Sequence, residues 1–144
     1  MKIAIGSDHA GFELKEIIKE YFIDNDIAYK DFGPFSDESV DYPDFGHAVA
    51  RALKNNSFDF GVVICGSGNG INMTVNKYEY VRAALCWDTE LAELARLHNN
   101  ANILTLPARF LKESKGLEIL KTFLKTQFEG GRHERRINKI AISC

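Results

Sequence analysis

Short apolar runs alternate along the chain with longer stretches in which apolar residues recur every three or four positions. The runs are KIAIG (2–6), IAYKDF (27–32), FGVVIC (60–65), VRAALC (81–86) and ANILTL (101–106), each bounded by turn residues. Their length and flanks predict strands, most of them buried on both faces. Between the runs, Leu14, Ile17, Ile18, Tyr21 and Phe22 trace the apolar stripe of one helix, and Phe45, Ala48, Val49, Ala52 and Leu53 trace a second. Leu91, Leu94 and Ala95 begin a third stripe whose next position is His98, and Leu117, Leu120, Leu124 and Phe128 predict a fourth. A last helix is expected after Gly130–Gly131. Strand and helix alternating in this way predict one α/β domain spanning residues 1–144. The expected architecture is three-layer α/β/α around a five-stranded parallel, Rossmann-like sheet, with 130–144 as a C-terminal helical extension.

In such sheets ligands bind beyond the carboxyl ends of the strands. Strand one runs into GSDHAG, strand three into CGSGNG and strand four into CWD, while the helix before strand five ends in LHNN. The expectation is that Asp8, His9, Cys65, Ser67, Asp88, His98 and Asn99 gather at one edge of the sheet. CGSGNG carries Gly66, Gly68 and Gly70 around Ser67 and Asn69, and a helix start follows. A tight strand-to-helix turn is one reading. The other is a cradle whose backbone N–H groups stay open for an anion or oxyanion. Ile71 narrows the second reading, because it stands where the third glycine of a dinucleotide fingerprint, or the arginine of a Cys-x5-Arg phosphatase loop, would have to be. No Gly-Lys-Ser/Thr follows, so the loop is not a P-loop.

Cys65 is either a small buried hydrophobe or a reactive thiol, and a strand end beside open amides and a helix N-terminus is a setting expected to lower a thiol pKa. His98 is either a satisfied histidine closing an apolar face or a functional group presented beside Asn99. Asp8 and His9 also suit an N-cap and a turn. Cys86 reads as structural and Cys144 as terminal. In EGGRHERRINK, Arg132 and Arg136 fall on one helical face with Arg135 to the side. They form either a solvated basic face or a bidentate phosphate clamp, to which Arg109 of PARF adds.

The chain has 144 residues, 45% of them apolar, and a formal charge of −2, which argues against nonspecific binding to nucleic acid or anionic membranes. No apolar stretch reaches the roughly 18 residues of a membrane span, and no signal-peptide pattern precedes IAIG. Three cysteines without metal-ligand spacing fit reduced thiols, so a cytoplasmic location is expected.

GSDHAGFELK, DYPDFGHAVA, CGSGNGINMTVNK, RLHNNANIL and FEGGRHERRI, in this order, resemble ribose-5-phosphate isomerase of the B type, in the family that includes galactose-6-phosphate isomerase subunits. The resemblance runs from Lys2 to about Ile140 and implies an aldose–ketose isomerase acting on a phosphorylated sugar without metal or other cofactor. It also implies a homodimer, or a dimer of dimers, with sites formed between subunits. By resemblance, Cys65 is the base, Ser67 assists at the substrate oxygen, and the amides of Gly66 to Gly70, Asn69 included, form the anion hole. His98, with Asp8 opposite, opens the ring. Asn99 holds a hydroxyl, Tyr42 lies against the sugar, and His9, Arg109, Arg132 and Arg136 hold the phosphate. One branch of the family uses a glutamate at the position of Ile71, so Cys65 assigns this chain to the thiol branch. The tail points first to ribose 5-phosphate, with galactose 6-phosphate or allose 6-phosphate as the alternative. A noncatalytic phosphosugar sensor is a third reading, and it has no need of the thiol.

Overall fold

The computed structural model of the chain describes residues 1–142, and Cys144 and the end of the expected C-terminal extension lie outside them. The elements are β1 (Lys2–Ser7), α1 (Phe12–Asp24), β2 (Ala28–Asp31), α2 (Tyr42–Ala52), β3 (Phe60–Cys65), α3 (Asn69–Val75), β4 (Ala83–Leu85) and α4 (Thr89–Asn99). They continue with β5 (Ile103–Pro107), a 3-10 turn (Ala108–Phe110), α5 (Glu113–Lys125) and α6 (Arg132–Ile137). All five strands are parallel, in the order β2-β1-β3-β5-β4. The predicted layered architecture is present.

The order explains the layers. The α1 and α4 crossovers move the chain one way across the sheet and α2 and α3 move it the other way, so right-handed connections place the two pairs on opposite faces. Ile3, Ile5, Val62, Ile64, Leu104 and Leu106 pack against Ile18, Phe22, Ile119, Leu120 and Phe123 on the face covered by α1, α4 and α5. Ala4, Val63, Cys65 and Ile103 pack with Val49, Ala50, Ile71 and Val75 under α2 and α3. Successive residues of β3 thus enter different cores, and burial of each large side chain contributes about 1.5–3 kcal/mol. The outer strands β2 and β4 are shorter than the apolar runs predict and only partly buried, since each has one neighbour.

Two departures from the periodicity shape the site. The fourth predicted stripe ends early, with α5 stopping at Lys125 and Phe128 outside it. Thr126 is extended, and its carbonyl accepts a hydrogen bond from Arg96 Nε at 3.1 Å. Arg96 is buried at the end of α4, donates to Ala101 O and Asn100 Oδ1, and lies over the Phe60 ring. One guanidinium therefore ties together the end of α4, the approach to β5 and the exit from α5. The second departure is Lys15, fully buried on α1, whose ammonium donates to both Asp31 oxygens at 2.8 and 2.7 Å and to Pro34 O at 2.6 Å. It fixes the segment after β2, which reaches the site through Val40. No helix among the described residues is long and apolar enough to cross a membrane.

Candidate active site

The carboxyl ends of β1, β3 and β5 bring one set of predicted residues together. After β1, the Asp8 N–H donates to Ile64 O at 3.0 Å and its Oδ1 accepts the Gly11 N–H at 3.0 Å, so Asp8 does serve the turn. It is also buried, with its carboxylate close enough to Cys65 to oppose ionisation of the thiol. His9 Nδ1 accepts the Val40 N–H at 3.3 Å, which leaves its Nε2 as the donor nitrogen of the neutral ring.

Each glycine of the loop has a separate structural reason. A Cβ on Gly66 would meet the Arg109 side chain at 3.2 Å, and the Arg109 N–H donates to Gly66 O at 3.0 Å. Gly68 has φ +75°, and a Cβ there would strike Leu85. A Cβ on Gly70 would run into the Tyr42 ring. The loop is thus enclosed by Arg109 on one side and Tyr42 on the other, both predicted to hold substrate. Ser67 and Asn69 are exposed; the Asn69 N–H donates to Ser67 Oγ at 3.3 Å, and both residues line a pocket of about 440 Å³ with Trp87 and Phe110.

Cys65 departs from expectation. Burial pushes its thiol above the usual range, and the charge of Asp8 adds to this, outweighing the N–H groups of Ile71, Gly68 and Ser67 that favour the thiolate. A strand end beside open amides was expected to lower the value, but the same packing that aims the amides at the sulfur also removes water from it.

His98 and Asn99 are not at this edge. A crossover helix returns the chain to the amino ends of the strands, so the end of α4 belongs to the opposite edge. The Asn102 carbonyl accepts the Gly61 N–H near the start of β3, whereas Cys65 ends that strand. The two positions on β3 are roughly 13 Å apart along the strand. The expectation of one shared edge fails for this reason, and Asp8 does not stand opposite His98 within one chain. Arg109 is corrected in the other direction, since it lies on the Cys65 loop of its own chain and not with the tail.

Around His98 the structure assembles a second group. Gly130 and Gly131 adopt φ of +72° and +57°, and the Glu129 N–H donates to Leu97 O at 3.1 Å, which folds α6 back onto α4 of its own chain. The double glycine thus makes the turn that sets α6 against α4. His133 is buried and stacks on His98, with ring centroids 4.2 Å apart and an interplanar angle of 12°. Glu129 Oε2 lies 3.8 Å from Nε2 of each ring. Burial holds His133 below its usual range, the His98 ring and Arg132 and Arg136 reinforce this, and Glu129 opposes it. Arg132 and Arg136 are exposed on α6 and Asn99 on the end of α4. Sequence spacing missed Glu129, His133 and Arg96. Glu129 and His133 are separated from each other by a glycine turn and from His98 by a whole strand and helix, so no local pattern joins them.

The family model described as Ribose/Galactose Isomerase matches residues 3–140. The chain belongs to this family. It is 37% identical over 139 residues to the ribose-5-phosphate isomerase B of Escherichia coli, covering 96% of this chain and 93% of that protein. A crystal structure of a ribose 5-phosphate isomerase from Thermotoga maritima superposes with a TM-score of 0.96 at 51% identity, covering 97% of both chains. The Mycoplasma genitalium ribose-5-phosphate isomerase B, solved with bound ribulose-5-phosphate, gives 0.92 at 48% identity, covering 96% of this chain and 93% of that one.

Proposed function

We propose that the protein interconverts ribose 5-phosphate and ribulose 5-phosphate through a cis-enediolate. The observation that carries the reading is Cys65 at the end of the central strand, with the N–H groups of Ser67, Gly68 and Ile71 directed at its sulfur. As thiolate, Cys65 takes the C2 proton and returns it to C1, while the O2 proton is lost and O1 gains one as the carbonyl moves from C1 to C2. Loop amides between Gly66 and Gly70, with Ser67, stabilise the enediolate oxygen. Arg109 and the Nε2–H of His9 hold the phosphate, and Tyr42 lies against the sugar. The family relatives named for ribose 5-phosphate support this substrate over a hexose phosphate.

Ring opening by His98, a hydroxyl contact from Asn99 and the Arg132–Arg136 phosphate clamp require a second copy of the chain, because these residues occupy the other sheet edge. The functional unit is therefore a two-fold homodimer in which the His98 edge of one protomer faces the Cys65 edge of its partner. The cytoplasm is the proposed setting, where the free thiols Cys65 and Cys86 stay reduced. A turnover assay on ribose 5-phosphate, galactose 6-phosphate and allose 6-phosphate tests the reading. Preferred turnover of ribose 5-phosphate is expected. Preferred turnover of a hexose phosphate overturns the substrate, and binding of a sugar phosphate without turnover makes the protein a sensor.

A further inference from the structure

His98, Glu129 and His133 each offer one donor atom, and the three atoms lie within 4.8 Å of one another. His133 is only 5% exposed, yet its Nε2 has no hydrogen-bond partner among the described residues. A buried polar atom left in this state is unusual, because burial without a partner costs free energy. That atom faces the Glu129 carboxylate at 3.8 Å, too far for a hydrogen bond, and so does Nε2 of His98. The spacing is close to what an ion would need, since a tetrahedral centre with bonds of about 2.0–2.1 Å holds its ligand atoms roughly 3.3–3.5 Å apart.

We propose that His98, Glu129 and His133 form a binding site for a borderline divalent ion, zinc or a neighbouring transition metal, and that the bound ion inhibits the enzyme. Two imidazoles and a carboxylate are the donor set such ions prefer. The rings lie nearly parallel, so their in-plane lone pairs run side by side and one ring must turn to share an ion. His133 is enclosed, whereas the His98 side chain is 38% exposed and is the ring free to turn. Zinc in this site takes the His98 lone pair and turns the imidazole away from substrate. The inhibitory part rests on the role given to His98 above; the binding part does not. Within its own chain the site lies at the sheet edge opposite Cys65, but the proposed dimer brings a second thiol to face it, so Cys65→Ser and the cobalt spectrum separate these ligands from metal capture by the thiol.

The test uses the full-length, metal-stripped protein and zinc as the probe, with calorimetric titration followed by turnover assays. One zinc per chain is expected, with affinity reduced at least tenfold in Glu129→Gln and in His133→Gln and retained in Cys65→Ser. Glu129 is 56% exposed, so Glu129→Gln removes a ligand without disturbing the core even if His133→Gln impairs folding. Cobalt bound at the same site should lack the near-ultraviolet thiolate charge-transfer band. Zinc should inhibit ribose 5-phosphate turnover in the wild type and do so at least tenfold less potently in Glu129→Gln, and EDTA should leave activity unchanged or raise it. Absence of stoichiometric binding, or binding lost in Cys65→Ser and kept in Glu129→Gln, overturns the site. Stoichiometric binding without inhibition overturns the regulatory half alone. Zinc binding by a protein that turns over no sugar phosphate upholds the site and rejects the isomerase reading.

Discussion

The buried carboxylate of Asp8 stands beside the Cys65 thiol and opposes its ionisation. Burial is the larger cause and Asp8 adds to it, so in the free protein the thiol is mostly protonated at neutral pH. Iodoacetamide should therefore alkylate Cys65 slowly at pH 7 and faster as the pH rises through and beyond the normal thiol range. Asp8→Asn should speed alkylation at neutral pH, because it removes the charge that opposes the thiolate. Cys86 is almost wholly buried and its thiol is pushed up to about 12, so it should stay unmodified under the same conditions. Cys65→Ala should lose about 10²-fold or more in turnover while still binding the sugar phosphate. Near-normal turnover in that variant would remove the thiol from the mechanism.

The glycines of the loop are not equivalent, and their alanine variants should differ. At Gly68 the backbone is left-handed and Leu85 closes on the missing side chain, so Gly68→Ala should destabilise the fold by at least about 1–2 kcal/mol, measured by urea unfolding. At Gly70 the obstacle is the far end of the exposed Tyr42 side chain, which can move. Gly70→Ala should keep most of its stability and lose kcat/KM. Equal loss of stability in both would mean that Gly70 serves only the turn.

How much could be read from the chain follows from which patterns are local. The five strands, the glycine loop and the placement of Asp8, His9 and Cys65 at one edge follow from alternation and from the parallel-sheet rule. Apolar spacing extends a helix to Phe128, but Arg96 captures the Thr126 carbonyl and the helix ends first. Nothing local in the sequence says that Asp31 and Pro34 will meet Lys15, or that Thr126 and Ala101 will meet Arg96. Counting loops puts His98 at the Cys65 edge, but α4 runs back to the amino ends of the strands and carries it to the opposite one. Sequence proximity to a strand does not say which end of it a residue reaches.

Lys15 and Asp31 make stability depend on acid. Burial raises the Asp31 pKa, but hydrogen bonds from Lys15, Lys19 and the Gly33 N–H outweigh it, and the carboxyl sits below its usual range. A depressed folded-state pKa gives stability that is fully present above the unfolded value of about 3.9 and is lost as pH falls through the folded one. Asp31→Asn should cost about 3–5 kcal/mol at pH 7, since it leaves buried Lys15 with only the more exposed and more distant Glu16, at 3.6 Å, as counter-charge. The gap from wild type should narrow in unfolding experiments below about pH 4. Lys15→Met should cost less, because Lys19 remains 2.9 Å from Asp31.

Arg132 and Arg136 are exposed and project from one face of α6, so replacing them should leave the fold intact. Each alanine variant should raise KM for ribose 5-phosphate and weaken inhibition by inorganic phosphate, through loss of a charge-assisted bond worth about 1.5–3 kcal/mol. Unchanged KM in both returns the tail to a solvated basic face.

The separation of Cys65 from the α6 arginines by the height of the sheet makes the shared site testable by mixing. A two-fold interface is isologous, so each dimer has two identical composite sites. Cys65→Ala and Arg136→Ala are prepared separately, shown to be impaired, then unfolded, mixed and refolded together. In a mixed dimer one site collects both substitutions, and the other receives an intact Cys65 from one chain and an intact Arg136 from its partner. Random pairing makes about half the dimers mixed, so roughly a quarter of wild-type activity should return. If both residues of a site came from one chain, every site would carry a defect and no activity would return. Failure to recover activity, with exchange of subunits demonstrated by mass spectrometry of tagged chains, would leave His98 and the arginines without a substrate to reach.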